Sequence, residues 1–423
     1  MLNNNQSKIF LATLLLLTAS FVAINPSLDK IFTTNNAVYA EKDNSEMSNS
    51  ETNLLDERIV NANRDFAFKL FSAVRMEDED ENIFISAPSV SIALNLLNNG
   101  ANAETREEIR RVLELENIIL PEINRQYKTL QDLLQNNQES TLSINNSLWI
   151  REGFPIKPNF LSQNREYYQS EVSALDFDSP DAVDIINKWV SDATEEKITT
   201  IVDSISPEDV LFLINAIYFK GEWQQAFNPE LTQEMNFTQS NGEVIQHPLM
   251  SREGSFAYLE NDDVEMIRLP YGESEKLAMY VVLPQEDSSL DGVMENLNGE
   301  IWQEWTANLR RQDGTIRLPR FSIEYDISLN NVLQKLGINK AFTNQADFSN
   351  LTDEPILIDQ VKHKTFIDVN EEGTEAAAVT SIGIRVTSLP LDNFEMVVNR
   401  PFFYAIQDEE TGTILFMGNV NSL

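Results

Sequence analysis

Apolar residues recur along this chain in two rhythms, one stepping by two and one by three or four, so strands and helices are both predicted. Leu142, Ile144, Asn146, Leu148 and Ile150 share one parity, while Ser143, Asn145, Ser147 and Trp149 share the other. That alternation predicts a strand over 142–150. Residues 210–219 (VLFLINAIYF) are apolar on both parities. They predict a strand buried on both faces, with Asn215 its one strongly polar member. Further strands are predicted at 82–85, 265–269, 278–283 and 362–369. Helical spacing marks 55–75, where Ile59, Ala62, Phe66, Phe68, Leu70 and Phe71 recur. Ser86 as a cap and Pro88 in the first turn predict a helix carrying Leu94, Leu96 and Leu97 to Asn98. Residues 104–115, 121–134 and 329–336 read as helices, the last ended by Gly337. A helix opened by Ser179-Pro180 bears the stripe Val183, Ile186, Trp189, Val190 and Ala193. With no βαβ rhythm and no internal repeat, the fold class expected is α+β.

One stretch departs from the pattern of an ordinary loop. Residues 368–386 (DVNEEGTEAAAVTSIGIRV) begin as an acidic turn and continue as a strand-like alternation. Thr374, Ala376, Ala378, Thr380, Ile382, Ile384 and Val386 fall on one uncharged parity. Glu375, Ala377, Val379, Ser381, Gly383, Arg385 and Thr387 fall on the other, which holds both charges. Since i and i+2 share a face of a strand, this segment can be buried on one side and wet on the other. An edge strand or an amphipathic linker accounts for the alternation alone. Alanine is a poor strand former, however, and the run Ala376-Ala377-Ala378 suits a segment that slides between existing strands better than one that stays put.

The 423 residues, 42% hydrophobic, suffice for a substantial core. The balance of 67 Asp and Glu against 31 Lys and Arg gives a formal charge of −36, which repels nucleic acid, anionic polysaccharide and anionic membrane. There is no cysteine, hence no disulfide and no thiol chemistry. Lys8 followed by the apolar run 9–24 reads as an export signal, with Val38-Tyr39-Ala40 before Glu41 as a cleavage site. An uncleaved membrane anchor is the competing reading of residues 1–40. Residues 41–55 form an acidic, polar linker expected to be disordered.

Catalytic motifs are scarce. The two histidines are His247 and His363, so a Ser-His-Asp hydrolase would have to use one of them. No G-x-S-x-G elbow, H-E-x-x-H pair, P-loop or G-x-G-x-x-G run occurs, and no metal or other cofactor is expected.

The run Glu371-Glu372-Gly373-Thr374-Glu375-Ala376-Ala377-Ala378 resembles the reactive-loop hinge of the serpins. The tail, from Asn399-Arg400-Pro401-Phe402-Phe403 through Ile414-Leu415-Phe416-Met417-Gly418, resembles the family's closing segment. Ser86, Ser89, Gly100, Ala101 and Thr105 match a further family motif, with Ala87 where proline is usual and Pro88 one position later. Asn187-Lys188-Trp189-Val190 with Thr194 and Lys197-Ile198 matches the helix that crosses the front of the main sheet. The resemblance spans 59–423.

It implies a single domain over 56–423: a large mixed sheet, two smaller sheets, about eight or nine helices, and an exposed reactive-centre loop near 371–398. It implies a monomer whose partner is a serine protease held in a covalent acyl complex; the N-terminal signal implies a secreted or exported protein, extracellular or periplasmic. The acidic surface argues against activation by a heparin-like polyanion. By resemblance, His363 bonds Asn215 beneath the centre of the sheet with Ser86 and Ser89 nearby, and Trp223 marks the end where insertion begins. On pattern alone Trp223 is plain core, and Glu371 and Glu372 are a solvated charge pair. The resemblance makes Glu371 the hinge base, with Gly373 permitting backbone rotation. Counting from Gly373 puts the scissile bond at Thr387-Ser388, suited to an elastase-like pocket. Arg385-Val386 is the rival bond and implies a trypsin-like target. A non-inhibitory serpin, with a storage, carrier or chaperone-like role, is the alternative from another class, and a serine hydrolase is a third.

Overall fold

The computed structural model describes residues 55–135, 139–375 and 393–423. The export signal, the acidic linker to residue 54, hinge residues Ala376, Ala377 and Ala378, and the candidate bonds Thr387-Ser388 and Arg385-Val386 lie outside the described residues.

Helix α1 (Glu57–Arg75) is capped by Asp56 and buries Ile59, Phe66, Leu70 and Phe71 as its spacing predicts. Strand β1 (Ile83–Ile85) leads into α2 (Ala87–Gly100), every residue of which is buried. Ser86 stands at the cap position of α2, but its side chain makes no capping hydrogen bond. Three helices follow, interrupted by β2: α3 (Ala103–Val112), α4 (Leu120–Gln135), β2 (Ser140–Arg151) and α5 (Pro158–Tyr168). After β3 (Glu171–Leu175) comes α6 (Ala182–Ala193), which starts later than Ser179-Pro180 suggests because those residues form a turn. β4 (Leu211–Glu222) is buried from Leu211 to Phe219, in keeping with its doubly apolar pattern.

The later chain is mostly sheet: β5 (Gln233–Thr238), β6 (Val244–Glu260), β7 (Val264–Tyr271), β8 (Leu277–Pro284), then α7 (Leu290–Met294) and α8 (Gly299–Asn308). β9 (Arg310–Pro319) and β10 (Phe321–Ser328), which follow one another but belong to different sheets, precede α9 (Asn330–Leu336), which ends at Gly337 with φ +122°. β11 (Gln360–Val369), β12 (Gly373–Thr374), β13 (Phe394–Val397), β14 (Phe402–Asp408) and β15 (Ile414–Val420) complete the described chain.

Two sheets result, an α+β architecture with nine α-helices among the described residues. One has nine strands in the order β1-β15-β14-β8-β7-β6-β9-β13, with β5 also on β6. The two smaller sheets that the resemblance implies are continuous here, because the 17-residue β6 pairs β5 along its first part, β9 from Leu249 to Tyr258, and β7 along its last residues. The other sheet has six strands in the order β10-β11-β12-β4-β2-β3, and β11 also pairs β4 directly. Helix α2 packs behind β4. On the front, Ile186 and Val190 of α6 join Trp149, Phe212, Ile214 and Ala216 in a second apolar cluster separate from the main core. β4 is apolar on both parities because both of its faces are covered. Among the described residues, no helix is long and apolar enough to cross a membrane.

Candidate functional site

The candidate site is the seam between β4 and β11. These strands run parallel and pair directly from Gln360↔Phe212 to Thr365↔Ile217. Midway down, His363 lies opposite Asn215, and Asn215 lies opposite Asn146 of β2. Nε2 of His363 accepts the main-chain N–H of Ser86 at 3.2 Å, so the proton sits on Nδ1 and is donated to Asn215 Oδ1 at 2.5 Å. Asn215 Nδ2 then donates to Ser89 Oγ and to Asn146 Oδ1, the latter at 2.7 Å. The chain of bonds crosses three strands and ties them to α2. All five residues are buried. Burial pushes the His363 imidazole down to about 3, so it is neutral at any physiological pH. Ser86 Oγ has no hydrogen-bond partner, because it is the Ser86 backbone that meets the ring.

At one end the seam is already parted. Gly373 and Thr374 of β12 sit between the two strands and run antiparallel to both, with Val369↔Thr374 on one side and Gly373↔Glu222 and Thr374↔Gly221 on the other. Gly373 is required there. Its φ is +156°, and a Cβ would lie 2.1 Å from the Gly221 carbonyl oxygen. Thr374 is fully buried, and its Oγ1 lies 2.7 Å from Tyr271 Oη. Tyr271 stacks on Trp223, with ring centroids 4.5 Å apart at 13°. Trp223 Nε1–H donates to the Asn370 carbonyl at 2.9 Å, and its main-chain N–H to Glu372 O at 2.9 Å. The indole is core, as its pattern suggests, and also a fastener on the turn that leads into β12.

Glu371 is not a solvated charge: it is 4% exposed. Arg320, in the turn between β9 and β10, grips it with Nε at 2.9 and 2.8 Å from the two carboxylate oxygens, and Thr232 Oγ1 donates as well. Burial alone would push this carboxyl up, but the bonds from Arg320 and Thr232 outweigh it and hold the group below the usual range. Glu372, by contrast, is half-buried and makes no ion pair among the described residues.

The structure therefore brings Ser86, Ser89, Asn215 and His363 together at mid-seam, and Trp223 with Glu371, Gly373 and Thr374 at its open end. Sequence reasoning missed the seam contacts of Asn146, Arg320, Tyr271 and Lys197, the last named there only as part of the crossing-helix motif; its Nζ lies 3.1 Å from Glu375 Oε2. Asn146 left a signal, an amide on the apolar parity of β2. The other three left none, since each reaches the seam from an element remote in sequence. His247 lies away from it, bonded to the Arg320 carbonyl at 2.6 Å. Among the described residues, no group of three or more His, Cys, Asp or Glu could hold a metal ion.

The family model for serpins (serine protease inhibitors) matches residues 61–423. This chain is a serpin. It is 32% identical to human neuroserpin over 84% of this chain and 90% of neuroserpin. It is 35% identical to a serpin-like protein of Thermococcus kodakarensis, over 86% of this chain and 85% of that one. Among solved structures, the thermophilic serpin tengpin in its native state superposes with a TM-score of 0.82 at 34% identity, covering 87% of this chain and 95% of tengpin. Human thyroxine-binding globulin with its hormone superposes with a TM-score of 0.80 at 29% identity, covering 86% of this serpin and 98% of the globulin.

Proposed function

We propose that this serpin is a suicide-substrate inhibitor of a serine protease. The observation that carries the reading is β12: a strand two residues long, antiparallel to both neighbours, wedged into the end of a seam that otherwise closes by direct pairing. Insertion has a start point and a defined register.

The protease serine attacks the carbonyl carbon of Thr387. An ester forms, the peptide bond to Ser388 breaks, and the protease histidine passes the serine proton to the departing Ser388 amine. The severed segment then follows Thr374 between β4 and β11. About fourteen residues at ~3.3 Å each give a strand on the order of 45 Å, enough to carry the esterified protease most of the way along the sheet before water releases it. The uncharged parity that starts with Thr374 faces the core, where one charge would oppose insertion by a few kcal/mol. Thr387 suits an elastase-like primary pocket; Arg385 is the second choice of bond. The protein acts after export, as a monomer, through residues 56–423.

A hydrolase is disfavoured by position. His363 is fully buried, and its Nδ1 meets an amide and not a carboxylate. A non-inhibitory role is the second reading, prompted by the thyroxine-binding globulin superposition. Mixing with an elastase-like protease and running a denaturing gel separates the two. Inhibition gives a heat-stable adduct and a small C-terminal fragment beginning at Ser388. Cleavage without adduct, and without a rise in melting temperature, rejects the insertion mechanism.

A further inference from the structure

The seam has a second end, opposite β12. Direct pairing stops at Gln360↔Phe212, which leaves the N–H groups of Val210 and Leu211 beyond the last rung. Backbone donors at such a place need acceptors. Asp359 supplies one: its Oδ2 accepts from Val210 N at 2.7 Å and from Leu211 N at 2.9 Å, and its own N–H donates to Leu211 O at 3.3 Å. Hydrogen bonds to a carboxylate are roughly twice as strong as neutral ones. The side chain thus acts as an additional, reinforced rung between β11 and β4.

Asp359 is itself held from the other side. Asn330, the first residue of α9, donates through Nδ2 to the Asp359 carbonyl at 2.7 Å and accepts Val361 N–H on Oδ1 at 2.9 Å. Arg151, whose charge acts on Asp359, has its guanidinium committed to Asp209 O, Ser206 O and Asp178, so Asp359 keeps its bonds to β4.

We propose that Asp359 is the clasp at the far end of the seam, a positioning residue that must release Val210 and Leu211 before a full-length strand can occupy the sheet. The proposal rests on the insertion reading and adds its last step. A strand growing from Thr374 in the register of β12 replaces the rungs from Thr365↔Ile217 toward Gln360↔Phe212, and it reaches Asp359 last. The clasp therefore sets how far insertion runs without hindering its start.

Two synthetic acetylated peptides test this on the intact protein, with no protease. TEAAAVTSI copies residues 374–382, and TEAAAVTSIGIRV copies 374–386. Both must displace β12. In its register the short peptide stops opposite Val361, and the long one runs past Asp359. Uptake is followed by native gel and by fluorescence of a label on the peptide. Asp359→Ala is expected to take up the long peptide about ten-fold faster than wild type and the short peptide at an unchanged rate. Asp359→Asn keeps an acceptor and is expected to lie within about three-fold of wild type for both. Equal acceleration of both peptides would mean general loosening and would overturn the clasp. So would wild-type uptake that the alanine variant leaves unchanged, although the insertion reading would survive. If wild type and variant refuse both peptides, both readings fall.

Discussion

Glu375 meets Lys197 where the chain leaves the six-stranded sheet: its Oε2 lies 3.1 Å from the ammonium, and its side chain is only 2% exposed. The Glu375 backbone is left-handed, with φ +57°, and its N–H donates to Asp368 O at 3.0 Å. Oε1 has no partner. Lys197, just beyond α6, also lies 5.7 Å from the centre of the Phe366 ring on β11. A non-glycine residue in this conformation is strained by about 1–3 kcal/mol, so surrounding contacts must hold it. Lys197 is one of the contacts that hold Glu375 in this conformation just after Thr374. Further insertion requires Glu375 to become extended and the ion pair to break.

Lys197→Ala is therefore expected to free the hinge. Lys197 is partly exposed, which limits the loss to about 1 kcal/mol. Its location matters more than its size. Amide exchange should quicken at Thr374 and Glu375 while Asn215, at mid-seam, stays as protected as in wild type. Exchange read by mass spectrometry checks this, and uniform loss of protection along β4 would contradict it.

His363 predicts a pH dependence. The folded ring protonates near pH 3 and the unfolded one near 6.5, so in between the unfolded chain binds the extra proton. Stability is full above 6.5 and falls as the pH drops toward 3. A difference in bound protons of one costs about 1.4 kcal/mol per pH unit, or about 2 kcal/mol between pH 6.5 and 5, before most carboxylates titrate. Urea midpoints at pH 7 and 5 should therefore differ more for wild type than for His363→Asn. The variant should also be weaker at pH 7, having disturbed two buried bonds, to Ser86 N and Asn215 Oδ1, at about 1–3 kcal/mol for each group left unpaired.

Much of this geometry was legible because burial leaves a mark in the pattern. Asn215 in an apolar run and Asn146 on an apolar parity each announce a buried amide that needs partners, and each has one. The doubly apolar β4 foretold a strand covered by helices on both faces. The alternation starting at Thr374 was legible, but not that Gly373 and Thr374 already lie between β4 and β11, and only the resemblance supplied the reason to expect insertion. The ion pairs were not legible. Arg320 comes from a turn between strands of different sheets, and Lys197 from a loop beyond a crossing helix, so nothing local couples them to Glu371 or Glu375. Pattern alone made Glu371 a solvated charge, since no local signal distinguishes a buried acid from a wet one until its partner is in place. Ser86 was expected to cap α2 with its hydroxyl; its main chain was instead drawn to His363, a residue 277 positions away.

Glu371→Gln tests the hinge base. The glutamine keeps acceptors for Thr232 but gives up the charge that holds Arg320. Because Arg320 is half-exposed, the expected loss is about 1 kcal/mol at neutral pH. Glu371 titrates below its ordinary value in the fold, so its contribution is present above the unfolded value of 4.5 and fades as the pH falls through the lower folded one. The difference in melting temperature between wild type and variant should therefore shrink below about pH 4. A difference that does not change with pH would assign the loss to packing.

Gly373→Ala should separate the seam's open end from its centre. An added Cβ would strike the Gly221 carbonyl and come within 2.8 Å of Glu222 Cα, and Gly221 is paired with Ser140 of β2, so it cannot give way without disturbing the β2–β4 ladder. The cheaper response is for β12 to withdraw from the sheet. That exposes Thr374 and breaks its hydroxyl contact with Tyr271, a loss of about 1–3 kcal/mol once the unpaired tyrosine is counted. Withdrawal would also let β4 and β11 pair further toward that end. The variant should thus have a freely exchanging Thr374 amide, an unchanged mid-seam, and slower insertion after cleavage, since the new strand has lost its start. Rapid-quench kinetics with an elastase-like protease would register this as more turnover and less adduct at equal cleavage. An adduct yield equal to wild type would show that the pre-inserted β12 contributes nothing to the race against hydrolysis.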